Sequence, residues 1–259
     1  MPELIEVELY RTATTRTIGR TISTVSIFSS KYLREGTSSV DLRSAVCGSQ
    51  LGNVRRIGKL LLLEVGTAVI GVRFGMTGRL MVDGEVTINE LLYTTNEVQE
   101  RHIRFSVEFD DGGTLAVIDP RGFGNVELNP DESLLGPDAL GISDGGFREI
   151  CHNSKSTLKA LLLDQRKISG IGNLLCDEIL WRSGIAPSRI SGSLNTEEIK
   201  RVASEVKDTI KDLAKRGGSH MGKLQSERHE KGVCPLDGFS LSRSTVAGRT
   251  SWWCPEHQL

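Results

Sequence analysis

Short apolar segments separated by glycines run through residues 21–118 and constrain the fold more than any other feature of the chain. The stretches 59–65, 68–74 and 114–118 are short and apolar, and apolar and polar residues alternate strictly along 103–109. Alternation with a period of two is the pattern of a half-buried strand. Short strands at regular spacing predict a β-sandwich or a β-barrel.

Helices are predicted on both sides of this region, at about 3–18, 157–165, 173–184 and from Asn195 to Gly217. In the first of them Ile5, Leu9 and Ala13 recur four apart, which is the spacing of one helix face. The last begins with Asn195 and an acid three residues later, a pattern that resembles a capping box. Strands followed by helices indicate an α+β fold.

The formal net charge of −1 hides an uneven distribution along the chain. Residues 150–259 carry 17 Lys and Arg against 12 Asp and Glu, whereas residues 1–149 carry 15 against 21. A basic half fits a phosphate-binding module, although the nearly balanced total argues against non-specific coating of nucleic acid. No apolar run is long enough for a membrane span or a signal peptide, so we expect an intracellular, cytoplasmic protein.

The N-terminus offers a nucleophile. If Met1 is removed, Pro2 becomes a secondary amine with Glu3 beside it. An α-amine has a pKa near 8, about two units below that of lysine, so a useful fraction is neutral at physiological pH. Such an amine forms a cationic iminium with an aldehyde, and a neighbouring carboxyl group can carry the protons. The alternative is an ordinary start codon followed by a helix-initiating proline.

Two segments of the basic half carry groups suited to phosphate. Gly170–Asn173 reads Gly-Ile-Gly-Asn and opens a predicted helix, whose N-terminal N–H groups attract anions. The alternative is a plain glycine-rich connection between helices. Gly248-Arg249-Thr250 places an arginine at a predicted hairpin turn, where its guanidinium can bind a phosphate with two hydrogen bonds. The alternative is a solvated arginine.

Two glycine-rich loops of the first half carry side chains able to intercalate between bases. Met76 lies in a Gly-Met-Thr-Gly turn, and Arg121 and Phe123 lie in the segment Asp-Pro-Arg-Gly-Phe-Gly. Apolar wedges unstack bases, and an extruded base leaves a space to be filled. The alternative is that Met76 and Phe123 are core residues at strand ends. Lys59 comes directly before an apolar strand, where its side chain is predicted to contact a phosphate or to stabilise a catalytic charge. The alternative is a solvated lysine.

The C-terminal region has the spacing of a zinc site. Cys234 and Asp237 form one pair and Cys254 and His257 the other, each with two intervening residues. Cysteine, histidine and carboxylate side chains are all zinc ligands in tetrahedral sites. His229 could replace Asp237 as the fourth ligand. The alternative is a finger without metal, held by the packing of two adjacent tryptophans.

These segments together resemble the formamidopyrimidine-DNA glycosylase and endonuclease VIII family. The resemblance rests on six motifs in one order: MPEL-x-EVE, GK before a strand, GM-x-G, DPR-x-FG, LLDQ-x4-GIGN and GRT-x3-CP-x2-Q. It implies an N-terminal β-sandwich domain over 1–130, a linker at 131–146, a helix-two-turns-helix domain over 147–222 and a zinc-finger hairpin over 223–259. It also implies a monomeric DNA glycosylase and abasic-site lyase acting on double-stranded DNA with damaged bases or abasic sites.

The resemblance assigns a role to each candidate residue. Pro2 is implied as the nucleophile on C1′ of the damaged nucleotide, and Glu3 as the acid/base that assists opening of the sugar ring. The implied phosphate contacts are Lys59, Asn173 and Arg249, of which Lys59 and Arg249 also count as catalytic. The implied wedge consists of Met76, Arg121 and Phe123. The chemistry is β-elimination followed by δ-elimination, and the cofactor is one structural Zn²⁺.

The chain departs from the family pattern at several points. Arg73 replaces the customary histidine and is expected to contact a DNA phosphate, and Gly122 replaces an arginine. The segment 216–234 is shorter than in members specific for 8-oxoguanine, so oxidised pyrimidines, ring-opened purines or bare abasic sites are at least equally expected substrates. The alternative function is a non-catalytic nucleic-acid-binding protein. An N-terminal-proline tautomerase would explain only the first residues.

Overall fold

The computed structural model describes residues 2–88, 91–92 and 98–259. The chain divides into two compact units, Met1–Glu132 and Ser133–Leu259. The first unit is mainly β and the second mainly helical, so the predicted α+β fold class is confirmed. No helix in these described ranges is long and apolar enough to cross a membrane.

In the described part of the first unit, antiparallel strands form two sheets. Strands β1 to β9 are Ile22–Ile27, Leu51–Ile57, Leu60–Val65, Ala68–Arg73, Arg79–Val82, Glu85–Val86, Ile103–Phe109, Thr114–Ile118 and Asn125–Leu128. One sheet has the order β1-β7-β8-β5-β6 and the other the order β2-β3-β4-β9. Apolar side chains of both sheets share one core, among them Leu61, Val72, Phe105 and Val117. The predicted β-sandwich is therefore confirmed, and the alternation along 103–109 corresponds to strand β7.

Helix α1, Leu4–Thr14, precedes the strands. Glu3 is its N-cap and forms a reciprocal capping box with Glu6, which satisfies N–H groups that a helix start leaves free. The predicted face was partly wrong, because Leu9 is 38% exposed whereas Val7 and Tyr10 are completely buried. A single 3₁₀ turn, Thr15–Thr17, extends the helix towards the predicted end.

A second helix, α2 at Ser39–Val46, lies inside the region for which the sequence predicts strands. Ser38 caps it by accepting a hydrogen bond from the backbone N–H of Asp41. Its two buried residues, Leu42 and Val46, are four apart and join the sandwich core. So short an apolar pattern has little helical signal in sequence, and the serine cap was the available clue.

The second unit contains four α-helices and one hairpin among its described residues: α3 Asp144–His152, α4 Leu158–Leu163, α5 Asn173–Ser183, α6 Thr196–Arg216, β10 Ser242–Val246 and β11 Arg249–Trp253. The capping box predicted at Asn195 is present, because its side chain accepts the N–H groups of Glu197 and Glu198. Helix α6 ends at Gly217, whose φ of 109° is left-handed and favours glycine.

Candidate functional site

Pro2 and Glu3 lie at the N-terminal end of helix α1, and both are buried. The backbone N–H of Glu3 donates to Oε2 of Glu6 at 2.8 Å, which fixes the chain just before the helix begins. The N-terminal end of a helix carries partial positive charge and disfavours a cation. This partial charge acts against protonation of an amine on Pro2.

The turn that carries Lys59 is connected to the same helix. Glu8 of α1 accepts a hydrogen bond from Nε of Arg56 at 3.0 Å, and Arg56 also donates to the carbonyl oxygen of Gly58 at 2.8 Å. Burial acts to raise the pKa of Glu8, but hydrogen bonds from Arg11 and Arg56 outweigh it and lower the pKa. Glu8 is therefore an ionised anchor for the β2–β3 turn, in which Lys59 is half-buried.

Helix α1 also holds the loop that contains Met76. The hydroxyl of Tyr10 donates to the carbonyl oxygen of Gly78 at 3.1 Å, and the rings of Tyr10 and Phe74 lie 4.5 Å apart. The N–H of Gly78 closes the loop by donating to the carbonyl oxygen of Phe74 at 2.9 Å. Burial raises the pKa of Tyr10 well above its usual value, so its hydroxyl remains a donor.

A buried carboxylate joins this loop to the loop that contains Arg121 and Phe123. Asp119 is 0% exposed. Its Oδ1 accepts from the hydroxyl of Thr77 at 2.6 Å, and its Oδ2 accepts from the N–H of Gly124 at 2.8 Å and the hydroxyl of Tyr32 at 3.4 Å. Each oxygen thus binds a different loop, and we call residues 74–78 and 119–124 the paired loops.

The three predicted wedge residues project from the paired loops. Met76 is half-buried, and Phe123 is 57% exposed with the guanidinium of Arg121 4.6 Å from its ring centroid. A Cβ on Gly75, whose φ is 58°, would come within 2.5 to 2.7 Å of the Phe123–Gly124 backbone. The approach of the two loops therefore requires glycine at this position. The structure brings these three residues onto one connected element, and their role as a wedge stays a prediction.

Replacing Asp119 with alanine is expected to destabilise the first unit by about 2–4 kcal/mol, because Thr77 and Gly124 would be left with buried donors lacking their acceptor. The measurement is urea denaturation of the variant and of the wild-type protein. Asp110→Ala, at an exposed acid, is the matched control and should change the free energy of unfolding by less than about 0.5 kcal/mol. Equal stabilities of the two variants would contradict the role of Asp119.

Arg73 ends strand β4 and lies in an ion-pair cluster. Its Nη2 is 3.8 Å from a carboxylate oxygen of Glu127, and Nε of Arg34 is 3.4 Å from the other oxygen. Burial lowers the pKa of Arg73, and the positive charge of Arg34 lowers it further. Two arginines share one carboxylate, which leaves a net positive charge. The phosphate contact expected of Arg73 stays a prediction.

In the second unit, the Gly-Ile-Gly-Asn segment is held by a glutamine side chain. Oε1 of Gln165 accepts from the N–H of Gly170 at 2.9 Å, and its Nε2 donates to the carbonyl oxygen of Ile171 at 2.9 Å. Gly172 is the N-cap of α5 and Asn173 its first residue, as the sequence predicted. The first N–H groups of this helix carry the positive potential that suits an anion.

The structure connects Asn173 to the hairpin strand that begins with Arg249. Nδ2 of Asn173 donates to the carbonyl oxygen of Thr250 at 3.1 Å, and Arg249 is the preceding residue in the chain. Arg249 is exposed at the start of β11, directly after a two-residue turn in which Ala247 and Gly248 have φ values of 53° and 70°. Positive φ at both positions is typical of a type I′ hairpin turn.

The four predicted metal ligands form one cluster. The donor atoms of Cys234, Asp237, Cys254 and His257 lie within 4.8 Å of one another. Sγ of Cys254 is 3.3 Å and Nδ1 of His257 3.1 Å from Oδ2 of Asp237, and Nδ1 is 3.5 Å from Sγ of Cys234. Bonds of about 2.0–2.3 Å place the ligand atoms of tetrahedral zinc about 3.3–3.8 Å apart. The donor set and its spacing therefore fit zinc.

Hydrogen bonds around the cluster prepare its donors for a metal. Nε2 of His257 lies 3.0 Å from the carbonyl oxygen of Trp181, so the ring proton resides there and Nδ1 presents its lone pair to the cluster. Nε1 of Trp181 donates to Sγ of Cys234 at 3.3 Å. The backbone N–H of Phe239 lowers the pKa of Asp237, which favours the ionised ligand. Among the described residues His229 is not a member of the cluster, and its Nδ1 accepts from the N–H of Lys231 at 3.3 Å.

No role was predicted from sequence for the buried charged residues that connect these elements. Asp119 follows an apolar strand directly, and that position was the signal available for it. Lys159, Asp177 and Arg228 form a buried ion-pair network in the second unit. The members of this network lie 18 and 51 residues apart in sequence, so no local pattern predicts their contact.

The chain is similar in sequence to known proteins of one family. The models of the formamidopyrimidine-DNA glycosylase N-terminal domain and of the formamidopyrimidine-DNA glycosylase H2TH domain match residues 1–126 and 135–224. A formamidopyrimidine-DNA glycosylase of Arabidopsis thaliana is 32% identical over 276 residues, which cover 100% of this chain and 71% of that protein.

Solved structures of a bacterial relative are similar over the whole chain. The wild-type Fpg of Lactococcus lactis in complex with DNA containing N7-benzyl-Fapy-dG is 25% identical, with a TM-score of 0.83 and 99% of each chain covered. A complex of the Lactococcus lactis Fpg with abasic-site-containing DNA is also 25% identical, with a TM-score of 0.83 and 100% of each chain covered.

Proposed function

Because the chain belongs to the formamidopyrimidine-DNA glycosylase family and is a DNA glycosylase of base-excision repair, we propose that it removes oxidised bases and cleaves abasic sites through a Schiff base on Pro2. The observation that carries this proposal is the position of Pro2, buried beside Glu3 at the positive end of helix α1. Removal of Met1 is a requirement of this mechanism, because an acylated proline nitrogen is not nucleophilic.

The proposed reaction balances without an oxidant or a reductant. The nitrogen of Pro2 attacks C1′, the bond from C1′ to the base breaks, and the base leaves with a proton. Opening of the C1′–O4′ bond, with a proton delivered from Glu3 to O4′, gives the iminium. The iminium acidifies the C2′ proton, and its loss expels the 3′ phosphate. A second elimination removes a C4′ proton and expels the 5′ phosphate. Water then hydrolyses the iminium, which releases the sugar fragment as an aldehyde and restores the secondary amine of Pro2.

Double-stranded DNA with a damaged base or an abasic site is the proposed partner. The Lactococcus lactis relative was solved in complex with DNA of both kinds. In this chain the paired loops carry an exposed aromatic ring and an arginine, and on the second unit Asn173 binds the carbonyl oxygen of Thr250, the residue after Arg249. Lys59 and Arg73 are the proposed phosphate contacts of the first unit. We propose that Met76, Arg121 and Phe123 fill the space left by the extruded nucleotide.

The preferred lesion is proposed to be an oxidised pyrimidine, a ring-opened purine or a bare abasic site. After α6 the chain continues as short 3₁₀ turns at Ser219–Met221 and Gln225–Glu227, and it reaches Cys234 within 17 residues of Gly217. The shortness of this connection, noted in the sequence, supports a site open to several bases. The test is to compare cleavage rates of duplexes that carry 8-oxoguanine, dihydrouracil, thymine glycol or an abasic site, and so to rank these lesions as substrates.

One structural Zn²⁺ is proposed to bind Cys234, Asp237, Cys254 and His257. The orientation of His257, with its Nε2 at the carbonyl oxygen of Trp181, supports this ligand set. When bound, the ion cross-links the segment before β10 to the segment after β11, and so holds the hairpin that presents Arg249. We also propose the division into 1–130, 131–146, 147–222 and 223–259 as functional segments.

Borohydride trapping tests the proposed chemistry. The processed enzyme, mixed with abasic duplex and reduced, is expected to form a covalent protein–DNA adduct whose attachment maps to Pro2 by peptide mass spectrometry. Pro2→Gly and a form with Met1 retained should each yield at least about 100-fold less adduct, because the secondary amine is absent or blocked. Salt-sensitive binding with no adduct and no strand cleavage by the processed enzyme would instead identify a non-catalytic DNA-binding protein.

A further inference from the structure

The carbonyl oxygen of Thr250 is a junction between the α5 segment and the hairpin. It accepts hydrogen bonds from Nδ2 of Asn173 at 3.1 Å and from Nζ of Lys159 at 3.0 Å. Since Arg249 precedes Thr250, the position of this carbonyl fixes both the amide of Asn173 and the backbone that carries the Arg249 guanidinium. The positions of the two side chains proposed to bind phosphate therefore depend on this carbonyl oxygen.

A buried carboxylate holds Lys159 and the hairpin at this junction. Oδ1 of Asp177 accepts from Nζ of Lys159 at 2.6 Å, and its Oδ2 accepts from Nη1 of Arg228 at 2.5 Å and the N–H of Trp252 at 3.4 Å. The side chains of Lys159 and Asp177 are almost completely buried, and that of Arg228 is 10% exposed. Two cations share one anion, so loss of Arg228 still leaves a neutral pair.

Arg228 comes from the short connection after α6, residues 217–233, which we call the strap. Glu178, the neighbour of Asp177 on α5, accepts the backbone N–H groups of Lys223 and Leu224 at 3.1 and 3.0 Å. A Cβ on Gly222 would lie 2.6 Å from a carboxylate oxygen of Glu178. The strap is therefore fixed to α5 at Glu178, and five residues after Lys223 it delivers Arg228 to Asp177.

We propose that Arg228 is a positioning residue for DNA binding: through Asp177 and Lys159 it fixes the Thr250 carbonyl, and so holds Asn173 and Arg249 in the geometry that binds phosphate. Arg228 is nearly buried and both oxygens of its partner are engaged, so its charge acts on the network and not on the DNA directly. A side chain that is already fixed before the DNA binds loses less conformational entropy on association, and the binding is tighter. The inference rests on the proposed DNA-binding function of Asn173 and Arg249.

A double-mutant cycle tests this role with the full zinc-loaded chain and a duplex carrying tetrahydrofuran, an abasic analogue that cannot be cleaved. Arg228→Gln is made in the wild-type chain and in the N173A/R249A chain, and Kd is measured at one fixed salt concentration. In the wild-type chain we expect about fivefold weaker binding. In the N173A/R249A chain we expect less than about a twofold change, because the groups that Arg228 positions are gone.

A charge-matched control variant distinguishes the positioning of Asn173 and Arg249 from a general loss of positive charge. Lys231→Gln removes one positive charge from the same strap at an exposed site, so any loss it causes should be equal in both chains. Arg228→Lys keeps a cation beside Asp177 and is expected to restore most of the lost affinity. If Arg228→Gln does not fold, Arg228→Met, which keeps the length of the side chain without its charge, is compared in the two chains instead.

The outcomes distinguish this inference from the function on which it rests. Equal losses from the Arg228 variant in both chains, or no loss in the wild-type chain, overturn the positioning role alone. Failure of the wild-type chain to prefer the tetrahydrofuran duplex over undamaged duplex overturns the proposed function together with it.

Discussion

Replacement of Glu3 by glutamine is expected to reduce base excision by at least about 100-fold, because the amide cannot deliver a proton to O4′ while Pro2 attacks C1′. The measurement is single-turnover release of a damaged base from duplex DNA. Cleavage of a preformed abasic site should fall much less, because its sugar already opens to an aldehyde in water and the iminium can form without that proton. The variant thus separates the two activities.

Glutamine at position 3 matches glutamate in size and can still accept a hydrogen bond, which keeps the N-cap of α1 functional. Glu85→Gln is a suitable control, since Glu85 is an exposed acid of the same unit whose side chain is 74% exposed in its ion pair with Arg16. It should retain wild-type rates. Base release by Glu3→Gln within about threefold of wild type would exclude Glu3 as the proton donor.

Replacement of Cys254 by alanine is expected to abolish stoichiometric zinc and, with it, tight DNA binding. Structural zinc contributes of the order of 10 kcal/mol to the folding of small modules, and Cys254 immediately follows strand β11, which begins with Arg249. Zinc per chain by elemental analysis should fall from about one to near zero, and binding of an abasic duplex should weaken by at least about 100-fold.

His229→Ala is the matched control, because His229 lies in the same module but outside the donor cluster. It should retain one zinc per chain, whereas Asp237→Ala should lose metal to a competing chelator faster than wild type. Zinc retention by Cys254→Ala, or zinc loss by His229→Ala, would show that the proposed ligand set is wrong.

The sequence predicted those parts of the fold whose signal is local. Strand β7 alternates in polarity over its full length, and α6 has both a capping box and a left-handed glycine end, so each was visible in a short window. Helix α2 was missed because only Leu42 and Val46 of its eight residues are buried, which is too little periodicity to recognise. Leu9 fits a four-residue repeat, yet the helix presents Tyr10 to the core instead.

The candidate site divides in the same way. Residues with a motif around them, such as Pro2, Asn173 and Cys254, were named as candidates because the chemistry and its neighbours are adjacent in sequence. The residues that hold the site together were not, because Asp119 binds a hydroxyl 42 positions earlier and Asp177 binds a guanidinium 51 positions later. Such distant pairings are set by packing of whole elements, and a sequence pattern carries no record of them.

The junction at Asp119 has a consequence for engineering. Asp119 accepts hydrogen bonds from both of the paired loops, whereas the side chains of Arg121 and Phe123 are exposed to solvent. We therefore expect that Arg121 and Phe123 can be replaced while the hydrogen-bonded frame beneath them remains folded. Design effort belongs at Arg121 and Phe123, and Gly75 and Asp119 should be left as they are.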